Sequence, residues 1–234
     1  MAVPAAEAGQ HFGVVSRLAL AAVAPVAGVW SRPSPTHDFI NLQALRILEA
    51  DGHWTAVKAL WPYLEQIQLG SAWADGGSRN VTHMYDPTTG RGIRGWPHAA
   101  SVCGAYFESA VSAWHHGSRE TALFYLGAAC HLVQDLCVPH HAACRLLDGH
   151  REFEHFARRR RREFAVVRDG LYDVAGDPAG WVVANARIAR MYLPLAGAEA
   201  TETMKEIALS VLLPRAQRTT AGFLAFFLEA VGCR

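Results

Sequence analysis

The chain has 234 residues, of which 51% are hydrophobic and 18% are charged, and its formal net charge is +1. These values exclude a disordered chain, and the near-zero charge argues against a general surface for polyanions. The length is ample for one large hydrophobic core. Twelve histidines is a high number, and histidine is both the commonest metal ligand and a frequent general base. The composition therefore describes a globular protein with a surplus of imidazole groups to explain.

The N-terminal region contains a possible export signal. Arg17 precedes a twelve-residue apolar segment, 18–29, which is too short to span a bilayer and is followed by small residues. No other segment approaches the length of a transmembrane helix. We therefore expect residues 1–29 to be a signal or leader segment and the protein to be secreted or extracytoplasmic. The alternative is an unprocessed N-terminus that packs as a helix or anchors the protein to a membrane.

The remaining sequence is patterned almost throughout as helix. Segments 36–52 and 54–70 carry apolar residues at spacings of three and four, and Pro62 kinks or restarts the second. Further helices are predicted, in chain order, over 98–116, 118–139, 150–169, 178–193, 200–212 and 214–231. The sequence shows no alternating strand pattern and no repeat. We therefore predict one all-α domain, a multi-helix bundle, over residues 30–234.

One long connection interrupts the helical pattern. Residues 70–97 contain several glycines and an Asp86-Pro87 pair, which are typical of irregular structure. A loop of this length inside a compact domain is usually functional. It carries Asp75 and His83, which we expect to fold over the helical bundle.

The chain has five cysteines, so they cannot all pair with one another in disulfides. No CxxC motif is present, which argues against a zinc site with thiolate ligands. Cys130, Cys137 and Cys144 recur every seven residues. This spacing suits small side chains packed between helices, with a disulfide or a ligand role as the alternative.

Two pairs of residues have the spacing of ligands on a helix. His131 and Asp135 are four residues apart and share a helix face, and His150 and Glu154 have the same spacing. His141 lies between the two pairs. Such pairs on facing helices can build a metal site in a bundle core, and nitrogen and oxygen ligands suit a catalytic zinc. For either pair alone, a satisfied core histidine or an ordinary helix ion pair is the simpler interpretation.

The order of these motifs resembles that of the bacterial zinc-dependent phospholipases C. The pattern of that family is a tryptophan at the mature N-terminus, a nearby histidine, an aspartate, then HFYDP, HYxGDxxQPxHAA and HxxxE. The corresponding positions in this chain are, in order, Trp30, His37, Asp75, HMYDP from His83, HLVQDLCVPHHAA from His131 and HREFE from His150. A segment from Ala216, AQRTTAGFLAFF, also resembles the family's last helix. The resemblance covers about residues 30–232.

The resemblance implies up to three zinc ions, each with its own ligands. One zinc would be held by Asp75, His83, His131 and Asp135. A second would be held by His141, His150 and Glu154. A third would be held by His37, by Asp135 as a bridging ligand, and by the amino and carbonyl groups of Trp30. A backbone amine binds zinc only when it is free and deprotonated, so cleavage before Trp30 would complete the third site.

The resemblance also implies an activity. The chain would be a zinc-dependent phospholipase C that cleaves phospholipids at a membrane surface into diacylglycerol and a phosphorylated headgroup, with Asp75 as the base that orients the attacking water. We expect a monomer without a dedicated nucleic-acid partner. The nearest alternative is a single-strand-specific zinc nuclease of the same helical architecture. From a different class, the alternative is a non-catalytic helical metal-binding protein.

Overall fold

Eight α-helices form the part of the chain that the computed structural model describes, residues 35–233. They are α1 (Pro35–Ala50), α2 (Trp54–Leu60), α3 (Leu64–Ala74), α4 (Ala99–His115), α5 (Arg119–Asp135), α6 (His150–Arg160), α7 (Pro178–Met191) and α8 (Glu202–Ala230). Within residues 35–233 there is no β-strand, only a single isolated bridge between Asp86 and Arg91. This architecture confirms the predicted all-α class.

Helix α5 is the centre of the bundle. Every residue from Tyr125 to Asp135 is buried, as expected for a helix that is surrounded by others on all sides. Helices α3 and α4 make the most extensive contacts with it, and α7 and α8 complete its surroundings. The last turn of α5 carries His131 and Asp135, so this turn brings polar side chains into the interior of the domain.

Two glycines allow the backbones of α3 and α5 to touch. A Cβ atom on Gly127 would lie 2.0 Å from the carbonyl oxygen of Ile67, and one on Gly70 would lie 1.8 Å from the carbonyl oxygen of Phe124. No other residue fits at these positions without displacing backbone atoms. The contact holds the C-terminal half of α3 against the face of α5 that carries His131.

Several helix boundaries differ from those predicted. The interruption at Pro62 is as predicted: this residue lies in a 3₁₀ turn, Trp61–Tyr63, because proline donates no backbone hydrogen bond. Helix α3 then continues to Ala74, so Asp75 is the C-cap residue of a helix and does not lie within an irregular loop as predicted. A further 3₁₀ turn, Gly77–Thr82, orders much of the remaining connection.

The C-terminal helices were predicted as two and are one. Helix α8 runs through Pro214 without a break, although proline usually ends a helix. Buried side chains on both sides of it, Leu213 and Ala216 among them, continue the same packed face. The packing offsets the single backbone hydrogen bond that Pro214 cannot donate. In contrast, the predicted helix 150–169 is shorter than expected, because α6 ends at Arg160.

The cysteines are consistent with a packing role. All five are free thiols, and Cys103, Cys130 and Cys137 are buried. Burial raises the pKa of the Cys130 thiol well above its ordinary value, and it raises that of Cys137 to about 12. Thiols in such surroundings stay protonated and unreactive at neutral pH.

Candidate metal centre

The carboxylate of Asp135 lies among four imidazole rings. Its Oδ2 atom is 2.8 Å from Nδ1 of His83, 3.1 Å from Nε2 of His131 and 3.5 Å from Nδ1 of His141. Its Oδ1 atom is 3.3 Å from Nε2 of His37. These four histidines are distant in sequence, so the cluster exists only because α1, the connection after α3, α5 and the turn after α5 converge.

The secondary structure around His131 and His83 places both rings next to Asp135. His131 is one helical turn before Asp135 on α5, and Ser71 Oγ lies 3.4 Å from its Nδ1 atom. His83 follows the 3₁₀ turn Gly77–Thr82, and its Nε2 atom donates to the carbonyl oxygen of Ala74 at 3.1 Å. Such contacts fix the ring orientation and direct the other nitrogen of His83 towards Asp135.

A second group of ligand atoms lies beside the first. Nε2 of His150 is 2.8 Å from Nε2 of His141 and 2.9 Å from Oε1 of Glu154, and the third distance, from His141 to Glu154, is 3.3 Å. His150 and Glu154 share a face of α6. Gly149 begins that helix with a φ of +79°, and a Cβ there would lie 2.5 Å from the backbone nitrogen of Ala198. Glycine at this position therefore allows α6 to start where its first turn faces His141.

Three sets of side chains have ligand atoms that all lie within 4.8 Å of one another. They are His37, His131 and Asp135; Asp75, His83 and His131; and His141, His150 and Glu154. Ligand atoms around one tetrahedral zinc ion lie about 3.3 Å apart, given zinc–ligand bonds of about 2.0–2.1 Å. The spacings of 2.8–3.3 Å in the third set, and the mixture of imidazole nitrogen and carboxylate oxygen in all three, fit zinc.

The structure brings together eight of the nine residues that the sequence analysis names as ligands. Trp30 lies outside the described residues. The grouping differs in two respects from that expected: His131 takes part in two sets, and His141 also approaches Asp135. The assignment of each residue as a zinc ligand stays a prediction.

The electrostatics of the cluster are those of a compact ion network. Burial works to raise the pKa of Asp135, but attraction to His131 and His141 outweighs it and holds that pKa well below its ordinary value. Burial lowers the pKa of His131 to about 4, with a contribution from His37. The pKa of His37 is raised to about 9 because Asp135 outweighs burial. For the same reason, with help from Glu154, that of His141 is raised to about 9.

The cluster opens into a cavity of about 830 Å³. His37, Asp135 and His141 lie in its wall, and Asp75 is an exposed carboxylate on the same wall. Leu147 and Arg151 also line the cavity. The cavity is large enough for a drug-sized group and places it against all three ligand sets.

Three buried polar side chains next to the ligands were not singled out from the sequence: Ser71, Asn41 and Gln134. Each is a polar residue at a helix position that is otherwise apolar and close to a predicted ligand, and this pattern could have identified all three from the sequence. His140, next to His141 in the sequence, belongs to none of the three ligand sets. Its Nε2 atom donates to the carbonyl oxygen of Asp148 at 2.6 Å, which ties down the segment that leads into α6.

Comparison with known proteins places these observations in a family context. The family described as zinc-dependent phospholipase C matches residues 36–184. A phospholipase C of Clostridium novyi is 28% identical over 160 residues, which is 58% of this chain and 40% of the relative. A phospholipase C of Clostridium perfringens is 26% identical over 234 residues, which is 84% of this chain and 59% of the relative. The chain thus spans between 40% and 59% of the length of these two relatives.

Solved structures with the same fold include two toxins. The alpha toxin of Clostridium absonum matches with a TM-score of 0.76 and 25% identity, over 86% of this chain and 65% of that one. The alpha-toxin of an avian Clostridium perfringens strain matches with a TM-score of 0.73 and 24% identity, over 86% of this chain and 66% of that one. Both matches support the helical architecture described above.

Proposed function

We propose that this chain, which belongs to the zinc-dependent phospholipase C family, hydrolyses phospholipids to diacylglycerol and a phosphorylated headgroup. The observation that carries the proposal is the convergence of three sets of histidine and carboxylate ligands on one cavity, with Asp135 at their centre. A structural metal site needs one closed set of ligands. Three adjoining sets that border an open cavity are typical of phosphodiester chemistry.

The ligands divide among the zinc ions as the family resemblance implies. The first ion would be held by Asp75, His83, His131 and Asp135. The second would be held by His141, His150 and Glu154. The third would be held by His37, Asp135 and the amino and carbonyl groups of Trp30. The spacings of the ligand atoms support Asp75, His83 and His131 together at the first ion, and Asp135 lies close to the last two of these. They also support His141, His150 and Glu154 at the second ion, and His37 with Asp135 at the third.

Each part of the site then has a defined task. Zinc ions held there would neutralise charge on the phosphoryl oxygens and lower the pKa of water. Asp75 lies at the cavity wall, where its exposed carboxylate can accept a proton from the water that attacks phosphorus. Asp135 is buried among histidines, where its negative charge can hold the positive charge of the centre. The cavity would hold the phosphodiester beside that water.

Residues 1–29 would be a leader and residues 30–234 the catalytic domain, with the protein acting outside the cytoplasm at a membrane surface, as a monomer. The apolar segment 18–29 supports the leader. The family resemblance, which implies that the amino group of Trp30 is a zinc ligand, supports cleavage before that residue. Across residues 35–233, no helix combines the length and the apolar character that crossing a bilayer requires.

A chain that starts at Trp30 tests this arrangement. A free amine at Trp30 should add a ligand, so this shorter chain should bind one more zinc ion, or turn over substrate faster, than the 234-residue chain. Equal zinc content and equal activity would contradict the leader and would favour a packed helix or a membrane anchor in residues 1–29.

The activity itself is tested with a panel of substrates. The zinc-loaded protein is incubated with vesicles of different phospholipids and, separately, with single-stranded DNA, and the Asp135→Asn variant measures the background. We expect diacylglycerol and a phosphorylated headgroup in equal amounts, and no cleavage of DNA. Cleavage of DNA without phospholipid turnover would instead identify a zinc nuclease. If neither substrate is cleaved, the proposal is wrong.

A further inference from the structure

A chain of buried amides runs from helix α1 to the metal cluster. Nδ1 of His37 lies 2.7 Å from Oε1 of Gln134, and the amide nitrogen of Gln134 donates to Oδ1 of Asn41 at 2.7 Å. Asn41 is one helical turn after His37 on α1, and Gln134 immediately precedes Asp135 on α5. Gln134 and Asn41 are 2% and 1% exposed. The contacts therefore join two helices inside the core and not at the surface.

The direction of the hydrogen bond between His37 and Gln134 decides which nitrogen of His37 is free to bind a metal. A carbonyl oxygen accepts only, so Oε1 of Gln134 requires a proton on Nδ1 of His37. The other nitrogen, Nε2, faces Asp135 at 3.3 Å and keeps a lone pair for a metal when the ring is neutral. Partners of this kind orient a ligand histidine and raise its basicity.

We propose that Gln134 is a positioning residue that holds His37 in the ring orientation and tautomer needed to bind zinc through Nε2. This inference rests on the proposed function for the role of zinc at His37. Gln134 stands where the family pattern quoted above has glycine, so the hydrogen bond is a feature of this chain. Asn41 in turn holds Gln134, and its own amide nitrogen, Nδ2, is buried with no partner among the described residues.

Because Nδ2 of Asn41 has no partner within residues 35–233, two substitutions of Gln134 can test the hydrogen bond to His37 separately from the packing. In Gln134→Glu the carboxylate still accepts from Nδ1 of His37, and Asn41 can turn its amide so that Nδ2 donates to the new oxygen. In Gln134→Met a side chain of similar length fills the space but accepts almost nothing. The two variants therefore separate the hydrogen bond from the packing.

The experiment titrates each protein with zinc alone against a competing chelator at a fixed neutral pH, and His37→Ala shows the effect of losing the ligand entirely. We expect Gln134→Met to lower the affinity for one zinc ion by about 10–100-fold, as His37→Ala also should, and to leave the affinities for the other ions unchanged. Gln134→Glu should stay close to the unsubstituted protein. Circular dichroism confirms that each variant folds.

Gln217 provides the matched control. It is a fully buried glutamine that bonds to the backbone of Val166 and Phe164, without contact to the metal cluster. Gln217→Met should lower the thermal stability and leave all zinc affinities unchanged. Unchanged zinc affinity in Gln134→Met, an equal loss in Gln134→Glu, or no effect of His37→Ala would each overturn the inference. Because no substrate is present, a failure of phospholipid hydrolysis would leave this result intact and would count only against the proposed function.

Discussion

The metal centre has two halves, one around Asp135 and one formed by His141, His150 and Glu154. Both consist of histidine and carboxylate ligands, but they differ in how deeply these ligands are buried. Around Asp135 the side chains are almost fully buried, and each of three histidines has a second contact that orients it: Ala74 for His83, Ser71 for His131 and Gln134 for His37. In the other half the side chain of Glu154 is 45% exposed. Among residues 35–233, the ring of His150 has no hydrogen-bond partner except His141 and Glu154.

This difference indicates that the half around Asp135, here called the inner half, is set before zinc arrives. The half formed by His141, His150 and Glu154, the outer half, depends on one helical turn and one connection, and its charges are partly screened by water. Substitutions of the buried residues of the inner half should therefore alter folding and zinc binding together. Those in the outer half should alter zinc binding alone.

The largest contrast is expected between the two carboxylates. Asp135→Asn removes the counter-ion that contacts the buried His37 and leaves His141 with Glu154 alone, so the zinc-free protein should lose about 3–5 kcal/mol of unfolding free energy at neutral pH. Glu154→Gln should lose about 0–1 kcal/mol, because a partly exposed ion pair stabilises little. Urea unfolding measures both, with the surface variant Asp173→Asn as a control. Equal losses at Asp135 and Glu154 would remove the distinction.

A substitution at Asp75, the exposed carboxylate beside the inner half, should affect turnover without affecting stability. Asp75→Asn keeps an oxygen that can bind zinc but loses the proton acceptor, so turnover should fall by about 10²–10⁴-fold. Because Asp75 is exposed at the end of α3, the fold and most of the zinc should remain. Phospholipid hydrolysis, zinc analysis and thermal unfolding test the three parts. Unchanged turnover would mean that another group activates the water.

The close contact of α3 with α5 supports only the inner half. Gly127→Ala would drive a Cβ into the backbone of Ile67, and such overpacking costs about 1–3 kcal/mol. Gly104 on α4 is the matched control, since a Cβ there meets nothing within 4 Å. Gly104→Ala should be neutral or stabilise by about 1 kcal/mol. If thermal unfolding shows similar effects for both, the backbone contact does not hold α3 in place.

The stability of the zinc-free protein should also depend on pH. The pKa values of His37 and His141 are raised to about 9 in the absence of zinc, from an ordinary value near 6.5. Their charge therefore stabilises the zinc-free fold fully below about pH 6.5, and this contribution is lost as the pH rises towards 9. The pKa values of Asp135 and Glu154 are lowered, so their contribution is present above about pH 4 and is lost on acidification.

Zinc binding should follow the opposite trend, because zinc has to displace the protons on His37 and His141. At pH 7 we expect binding to release about two protons, and affinity to increase between pH 6 and pH 8. Calorimetry in two buffers with different heats of ionisation counts the protons. Binding without proton release would show that these histidines are already neutral.

Much of the fold and of the site could be predicted from the sequence. The all-α class followed from the apolar spacing, and the pairs His131 with Asp135 and His150 with Glu154 followed from helix geometry alone. The errors lie where packing overrides local preference. Helix α8 continues through Pro214, and α3 extends past Gly70 to Ala74, since both segments bury a face that a break would expose.

Helix geometry is a local property, so the sequence by itself determined which residues share a helix face and in what order the metal-binding motifs occur. Contacts between distant segments depend on how closely and at what angle helices pack. Only the tertiary structure decided that His131 joins two ligand sets, that Gly127 lets α3 touch α5, and that Gln134 meets His37. The physical reason is that each of these contacts joins atoms from helices whose relative position no local pattern of residues specifies.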